Sequence, residues 1–416
     1  MAAYRVRVTG SLSRSLGTTD AVLIGLGSMI GAGVFGAFAP AASAAGSLLL
    51  VGLCLAGIVA YANATSSAQL AAAYPVSGGS YVYGRERLGP WWGFFAGWAF
   101  VVGKTASCAA MALTFAAYAV PSAWRTPVAV VAVFALAAVN YRGVTRTARA
   151  TRIMVPIVLA VLALVVVANL TGGAAQPTAF DVPHGWYGVA QSAGLLFFAF
   201  AGYARIATMG EEVRDPARAI PRAIVLALGI ALGVYLVVGV SLLLTLGPAR
   251  LAASTAPLSD AVRSAGWDWA APVVRVGAAV AALGALLALL AGIGRTSLAM
   301  ARGGDLPAWL GAVHPRFHVP HRAEVAVAVA AAGLVIAVDL RGAIGFSSFG
   351  VLLYYLVANL AAFTQGGADR RYPRFLQVIG AVGCVALAAT LPLSSVLAGV
   401  AVLAAGLAYR LLARPR

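Results

Sequence analysis

Charged residues are scarce in this 416-residue chain: 10% of its residues are charged, whereas 62% are hydrophobic. A soluble protein normally has about a quarter of its residues charged, so the composition excludes a soluble globular protein and predicts a lipid-facing surface. Acidic residues are the rarer sign, 12 against 29 basic residues, and none lies in the middle of an apolar run. The apolar runs therefore contain no carboxylate pair of the kind that acid–base catalysis uses.

Cysteine and histidine, the usual disulfide-forming and metal-binding residues, are also few. Cys54, Cys108 and Cys384 lie inside apolar runs, where they resemble small residues of membrane helices more than a disulfide framework. The four histidines lie in predicted loops without metal-ligand spacing; they are His184, His314, His318 and His321. We therefore predict no metal, no cofactor and no enzyme activity.

Long apolar runs predict an all-α polytopic membrane protein. Runs such as 224–246 and 276–293 are free of charge over nearly the ~20 residues that a helix needs to cross a bilayer. The whole chain, 1–416, forms a single transmembrane domain, because its longest loops are too short for a separate soluble domain. Twelve spans are predicted, at about 19–40, 47–73, 90–120, 126–141, 151–170, 187–209, 222–247, 269–300, 322–339, 343–364, 374–391 and 393–411.

The arginines alternate in density between successive loops. The loops on the side of the N-terminus contain 22 arginines and those on the other side contain 5. Because basic loops stay in the cytoplasm, both termini are predicted to be cytoplasmic, in a multi-pass protein of the plasma (inner) membrane. The formal net charge of +17 thus reflects topology in a lipid bilayer, and we predict no nucleic-acid partner.

The first predicted span contains a cluster of glycines. Gly25, Gly27, Gly31 and Gly33 lie close together, and each glycine costs a helix about 1 kcal/mol relative to alanine. Unwound backbone is tolerated at membrane depth only where it lines a cavity or is buried in protein, so a break here indicates a binding site. Close helix packing through small residues is the structural alternative. The match of 31–36 to GxGxxG does not indicate a dinucleotide site, because no strand precedes it.

The sixth predicted span has a similar irregularity, since small residues alternate with aromatics in FFAFAGYAR (197–205). Corresponding interruptions in two halves of a transporter point to a substrate site at mid-membrane. Amides freed at Ile30–Gly33 suit a carboxylate, and carbonyls freed near Ala199–Gly202 suit an ammonium group. The two segments together can hold both ends of a zwitterion.

At these residues the chain resembles the APC superfamily, the amino acid–polyamine–organocation permeases. The resemblance covers nearly the whole chain and is carried by GSMIGAGVFG (27–36), YPVSGGSYVYGRERLG (74–89), FFAFAGYARIATMGEEVRDPARAIPRAI (197–224) and RTSLAMARGGDLP (295–307). It implies a LeuT-like fold with two inverted five-helix repeats, about 19–170 and 187–364, and two further helices at about 374–411. It also implies amino acid transport by alternating access, coupled to protons or by exchange.

The resemblance further implies which residues contact the substrate. Permeases of this superfamily hold the substrate carboxylate on the loop that corresponds to Gly31–Gly33, and its amino group on carbonyls at about Phe198–Ala201. An aromatic side chain at the sixth-helix interruption, here Phe198 or Phe200, acts as a gate. The predicted substrate site consists of two segments and one lysine: Ser28, Met29, Ile30, Gly31, Ala32, Gly33, Phe198, Ala199, Phe200, Ala201, Gly202, Tyr203 and Lys104.

Lys104 is the only lysine of the chain and lies midway along the third span. A charge at this depth costs about 3 kcal/mol or more, so its side chain is expected to face the interior of the bundle. Three roles are compatible with this position: a proton carrier, a fixed cation that selects substrates by charge, or a structural donor to helix-end carbonyls. The acidic and lysine residues through which relatives couple to ions are replaced here by Ala204 and, near the fifth-helix position, Val158.

Further charged residues follow the second interruption and are candidate gate residues. Arg205 either pairs with a carboxylate on the cytoplasmic side or extends toward the membrane surface. Glu211 and Glu212 are expected to pair with cytoplasmic arginines, either within a gate network or as simple surface pairs.

The sequence therefore predicts a secondary active permease for amino acids, coupled to protons or working by exchange. Neutral amino acids are favoured, with anionic ones as the alternative, because no carboxylate lies mid-span to bind a cationic side chain. Two alternatives share this architecture: a transporter of another small amine or metabolite, and a sodium symporter, since carbonyls and hydroxyls alone can bind sodium. A channel is disfavoured because no segment resembles a selectivity filter. The sequence makes no prediction of the oligomeric state.

Overall fold

A computed structural model shows a bundle built from α-helices. It describes residues 16–75, 78–142, 147–172, 180–207, 209 and 212–413. Within those ranges the only extended pairing is an isolated parallel bridge between Leu16 and Val213. An all-helical architecture follows from the apolar composition, because helices satisfy their backbone hydrogen bonds internally and can therefore enter lipid.

The helices follow the predicted apolar runs, with boundaries that differ by a few residues. In the first half they are α1 (Thr18–Met29), α2 (Ala32–Gly36), α3 (Phe38–Ala45), α4 (Leu49–Ala73), α5 (Ser80–Leu88), α6 (Pro90–Ala119), α7 (Arg125–Tyr141) and α8 (Thr147–Thr171). In the second half they are α9 (Gly185–Phe200), α10 (Ala204–Ala207), α11 (Pro216–Ala253), α12 (Pro257–Ser264), α13 (Ala270–Arg302), α14 (His321–Ala337), α15 (Leu340–Phe363), α16 (Arg374–Thr390) and α17 (Leu393–Ala413).

Ten helical stretches in the described part of the chain are long and apolar enough to cross a membrane, so the protein is a polytopic membrane protein. The other two predicted spans, 322–339 and 374–391, correspond to α14 and α16, which have 17 residues each. The first predicted span, 19–40, comprises three helices and continues to Ala45. The count of twelve crossings remains a prediction.

The two interrupted segments, α1–α2 and α9–α10, lie in the interior of the bundle. Their spans are 71% and 89% buried, whereas the spans of α7 and α17 are 22% buried. Helix α1 packs against α8 and α11, α9 packs against α4 and α15, and α2 contacts α6 and α13. The surrounding longer helices therefore enclose the segments in which the sequence predicts the substrate site.

Candidate functional site

The first interruption lies between α1 and α2, where two residues leave the helical conformation. Ile30 caps α1 by donating its amide to the Leu26 carbonyl at 2.7 Å, and Gly31 has φ −87° and ψ −129°. The other glycines of the cluster do not all unwind: Gly25 and Gly27 remain helical and pack closely against α10–α11 and α8. The structural alternative of close packing therefore describes the first two glycines, and the break is at Gly31.

The second interruption is milder. Helix α9 ends at Phe200, residues 201–203 form a single 3₁₀ turn, and α10 begins at Ala204. A 3₁₀ turn replaces i→i+4 bonds with i→i+3 bonds of poorer geometry, which frees main-chain carbonyls for other donors. The chain stays helical throughout this segment. The main effect of the turn is that some main-chain carbonyls can accept hydrogen bonds from side chains of other helices.

The two interruptions contact each other through glycine. A Cβ atom on Gly33 would lie 2.6 Å from the Ala199 Cα, and one on Gly202 would overlap the backbone of Ser28. No side chain fits at either position, because backbone cannot rotate aside as a side chain can. The structure thus brings together the two predicted binding segments, 28–33 and 198–203, and leaves them in van der Waals contact.

Tyr235 of α11, which the sequence analysis did not single out, connects the two interruptions. Its hydroxyl lies 2.7 Å from the Met29 carbonyl and 2.9 Å from the Ala199 carbonyl, so its single proton serves both acceptors. The ring is buried. The available signal was a tyrosine hydroxyl in the middle of the apolar run 224–246, where a polar group needs a buried partner.

Lys104 of α6 bonds to the second interruption. Its side chain is 5% exposed, and Nζ donates to the Ala201 carbonyl oxygen at 3.0 Å. The hydroxyl of Tyr355 on α15 lies 3.4 Å from the same oxygen. Within the described ranges no carboxylate lies within 4.0 Å of Nζ. The Lys104 ammonium therefore donates to a carbonyl of the segment that is predicted to bind the ammonium group of a substrate.

The aromatic side chains of the second interruption are buried and pack against helices α11 and α15. Phe200 meets Tyr235 edge-on with ring centroids 5.2 Å apart, and Tyr203 stacks on Tyr355 with centroids 4.9 Å apart. Phe198 is also buried, and Ser28 Oγ bonds back to the Ile24 carbonyl at 2.9 Å. The predicted site is therefore closed, and a substrate can enter only when these residues separate.

The charged candidate gate residues follow the second interruption in the chain. Arg205 lies beside Gly292 of α13 and within electrostatic reach of Glu212 and Arg295. The Glu212 carbonyl accepts the Leu16 amide at 3.1 Å, which joins the start of the described chain to the segment after α10. Glu211 lies outside the described residues.

A salt bridge that the sequence analysis did not predict lies near the start of α1. Arg152 of α8 pairs with Asp20 of α1 at 2.7 Å. Because the two residues are 132 positions apart in the sequence, no local spacing signals their pairing. Helix α1 is thus tied to α8 near its first turn, below the interruption at Gly31.

An all-helical bundle that encloses two interrupted helices in mutual contact defines a membrane protein of the transporter class. The chain belongs to the amino acid permease family: the sequence profile of that family, described as amino acid permease, matches residues 20–403. This assignment confirms the resemblance found in the sequence motifs, and it makes the protein a transporter and not an enzyme.

Relatives at several distances agree with this assignment. The chain is 61% identical to an uncharacterized transporter of Mycobacterium tuberculosis over 96% of this chain and 91% of that protein. It is 29% identical to the chloroplastic cationic amino acid transporter 7 of Arabidopsis thaliana, over 87% of this chain and 67% of that one. It is 28% identical to the branched-chain amino acid permease BcaP of Bacillus subtilis, over 89% and 84% of the two chains.

Proposed function

We propose that this protein is a secondary active permease that carries neutral amino acids across the plasma membrane by alternating access, coupled to protons. The family assignment supports an amino acid as the substrate. The observation that carries the coupling is the bond from the Lys104 ammonium to the Ala201 carbonyl at 3.0 Å. Exchange of one amino acid for another on the same site is a second mode of the same cycle.

The proposed architecture is a LeuT-like fold with twelve membrane crossings and both termini in the cytoplasm. The two inverted repeats would comprise about 19–170 and 187–364, so that α1–α2 and α9–α10 are the first helices of the two repeats. The reciprocal glycine contacts, Gly33 on Ala199 and Gly202 on Ser28, support this equivalence. The arginine distribution supports the orientation.

In this proposal the substrate zwitterion binds between the two interruptions. The predicted amides at Ile30–Gly33 are reduced by one, because the Ile30 amide already donates to the Leu26 carbonyl. Amides at Gly31–Gly33 receive the carboxylate, and the ammonium takes the Ala201 carbonyl, to which Lys104 donates. Two unit charges 4 Å apart repel by about 4 kcal/mol at an effective dielectric constant of 20. Binding of the substrate ammonium therefore favours loss of the proton from Lys104. When that proton is released to the cytoplasm, a proton and an amino acid cross the membrane in the same direction.

Neutral side chains are favoured because a cationic one needs a buried counter-charge. The relatives include one named for cationic amino acids and one named for branched-chain amino acids, so the family alone does not decide the side chain. In the ranges that the structure describes, Lys104 has no carboxylate within ion-pair distance. A site with one cation and no paired anion disfavours a second cation.

The gates in this proposal lie on both sides of the Ala201 carbonyl. Phe198 and Phe200 move away from the substrate path when the interruptions separate. Arg205 and Glu212, together with Glu211, form the charged part of the inner gate. The proximity of Arg205 to Glu212 supports this role for the pair.

Uptake into proteoliposomes tests the proposal. Labelled leucine, alanine, lysine and glutamate are offered to the wild type, with and without an inward proton gradient. We expect gradient-driven accumulation of a neutral amino acid. Accumulation driven only by an inward sodium gradient would establish the sodium symporter, and no movement of any amino acid would contradict the proposed substrate class.

Two substitutions at Lys104 separate its three candidate roles. Lys104→Ala removes the charge, whereas Lys104→Arg keeps a cation that stays protonated, because a guanidinium has a pKa above 12. If Lys104 carries the proton, both variants lose gradient-driven accumulation by about tenfold or more while exchange survives. Recovery in Lys104→Arg alone would indicate a fixed cation, and accumulation in both variants would indicate a structural donor.

A further inference from the structure

A row of polar side chains follows one face of α4 through the interior of the bundle. Asn63, Ser66 and Gln69 are spaced by three residues and fully buried, although α4 is otherwise mostly apolar. Polar residues inside a membrane domain are costly and commonly mark functional pathways. We define the polar seam as these residues and the polar groups that meet them from α15, α16 and the connection between those helices: Asn63, Ser66, Gln69, Tyr355, Asn359, Gln365, Gln377 and Cys384.

The middle of the polar seam joins α4 to α15. Asn359 Nδ2 donates to Asn63 Oδ1 at 2.6 Å, and Ser66 Oγ donates to Asn359 Oδ1 at 2.7 Å. Asn359 also bonds the carbonyl of Tyr355, one helical turn earlier. The three side chains therefore form a continuous hydrogen-bonded group at the depth of the site.

Helix α16 forms the third wall of the polar seam. The Cys384 thiol donates to Asn63 Oδ1 at 3.4 Å, and Gly380 approaches the Asn359 amide so closely that a Cβ would overlap it. Gln377 lies on the same helical face, one turn away, and is buried. Among the described residues, Asn63 Nδ2, Gln365 Nε2 and Gln377 Nε2 have no hydrogen-bond partner. These buried donors are suited to bind water.

One end of the polar seam reaches an exposed loop. Gln69 Nε2 lies 2.8 Å from Gln365 Oε1, and Gln69 Oε1 accepts the amides of Arg371 and Tyr372 at 2.9 Å and 3.0 Å. Arg371 is exposed. The loop 364–373 is one of the arginine-rich loops that are predicted to face the cytoplasm.

The other end of the polar seam reaches Lys104. Tyr355 lies 3.4 Å from the carbonyl oxygen of Ala201, the same atom that accepts the Lys104 ammonium. Cys384 is within electrostatic reach of Tyr355 and of Tyr203, which stacks on Tyr355. Hydroxyl, thiol and amide groups thus follow one another from the site to the loop in three hydrogen-bonded groups: Lys104 and Tyr355 on the Ala201 carbonyl, Cys384 with Asn63, Asn359 and Ser66, and Gln69 with Gln365 and the loop. Water would have to bridge the intervals between these groups.

We propose that the polar seam is the route by which a proton passes between Lys104 and the cytoplasm, separate from the path of the substrate. The inference rests on the proposed coupling role of Lys104. The proton leaves Nζ, which becomes a neutral amine, and moves through hydroxyl groups and water that the seam amides orient. The amides themselves do not ionise.

The surroundings of Lys104 suit such a release. The titratable groups that face it or its partner Tyr355 are Cys108 on α6, Tyr203 after α9, Tyr354 on α15 and Cys384 on α16. All are neutral hydroxyls or thiols at physiological pH. None of these groups is a carboxylate, so loss of the proton from Lys104 leaves no buried negative charge unpaired. The same packing is therefore compatible with both the charged and the neutral form of Lys104.

Transport measurements distinguish a proton route from a structural cross-link. Gln69→Leu removes the amide at the loop end of the polar seam, and Cys384→Val removes the thiol beside Asn63. Proteoliposomes report both gradient-driven accumulation and gradient-free exchange. We expect accumulation to fall about tenfold or more, which corresponds to ~1.4 kcal/mol or more, while exchange stays within about twofold. Cys384→Ser, which restores a donor, should recover accumulation.

Asn169→Leu is the matched control, because Asn169 is another buried amide that joins two helices, through Ser241 at 3.1 Å, outside the polar seam. It should change accumulation and exchange in equal proportion. Equal losses of accumulation and exchange in the seam variants would identify the polar seam as a structural cross-link and overturn the inference. Unchanged accumulation in those variants would overturn it as well. A wild-type protein that shows no proton-driven accumulation would instead overturn the proposed coupling itself.

Discussion

The two helix interruptions differ in backbone conformation and in how their main-chain groups are hydrogen-bonded. Between α1 and α2 the chain leaves the helical conformation at Ile30 and Gly31, whereas after α9 it continues through a single 3₁₀ turn. Carbonyls of the second interruption are met by side chains from three helices, since Ala199 is bonded by Tyr235, and Ala201 by Lys104 and Tyr355. The first interruption is a break in the helical conformation at Gly31, and the second presents carbonyl acceptors that the protein itself already satisfies.

This difference indicates how the closed arrangement of the two interruptions can be stable. A carbonyl buried without a donor costs about 1–3 kcal/mol, and the carbonyls of the second interruption have donors from the protein itself. Under the proposed function, a substrate ammonium has to displace one of these donors. The most informative experiments are therefore those that change one interruption, or the link between the two, and leave the other unaltered.

The largest effect is expected from adding a methyl group where the interruptions touch. Gly202→Ala places Cβ against the Ser28 backbone, and Gly33→Ala places it against Ala199. Since backbone must shift, each change should reduce transport by more than about tenfold, in line with the ~1–3 kcal/mol cost of overpacking. Initial uptake rates at equal protein amounts measure the loss.

Gly229 of α11 provides the control for these variants, because a Cβ there would meet nothing within 4 Å. Gly229→Ala should transport at the wild-type rate. If Gly33→Ala is silent while Gly202→Ala is inactive, the two contacts are not equivalent and the proposed symmetry of the halves is weakened.

A smaller effect is expected from Tyr235→Phe, which removes the hydroxyl shared by both interruptions. The Met29 and Ala199 carbonyls each lose their donor, so uptake should fall by about three- to tenfold, since a buried hydrogen bond is worth ~0.5–1.5 kcal/mol. The hydroxyl stabilises the closed arrangement, in which the two interruptions are in contact. Without it, separating the interruptions costs less free energy, so the variant should bind substrate more tightly and release it more slowly.

Tyr118→Phe is the matched variant for this comparison. Its hydroxyl is equally buried and bonds the Phe35 carbonyl in α2 and the Leu258 amide in α12, outside the two predicted binding segments 28–33 and 198–203. It should lower thermal stability to a similar extent and leave substrate affinity unchanged. Equal affinity changes in the two variants would show that Tyr235 has only a packing role.

The sequence was sufficient to predict where the interruptions lie, because glycine clusters and small residues have a direct effect on helix stability. The positions 28–33 and 198–203 lie together in the structure as the pairing of the two segments suggested. Tyr235 and Tyr355 could not be found in this way, since a tyrosine in an apolar run has no characteristic spacing that identifies its partner. Their partners, such as Ala201 for Tyr355, are separated from them by many residues, and only the packing of helices brings them within bonding distance.

Lys104 illustrates the same limit. Its isolation as a lone charge predicted an inward-facing side chain, and the buried ammonium on the Ala201 carbonyl agrees with that expectation. The particular carbonyl could not be predicted, because it depends on the register between α6 and the 3₁₀ turn. Similarly, the bond between the main chains of Leu16 and Glu212 joins residues far apart in the sequence, so no local spacing indicates it.

The smallest effect is expected outside the interruptions, at the salt bridge between Asp20 and Arg152. Its side chains are 17% and 55% exposed, and exposed ion pairs contribute only about 0–1 kcal/mol. Asp20→Asn should therefore change the uptake rate by no more than about fivefold, and the wild-type rate should approach that of the variant at high salt, which screens the pair. The double variant with Arg152→Gln should behave like either single variant. A loss as large as that of Gly202→Ala would mean that closure depends on this surface pair rather than on the contact between the two interruptions.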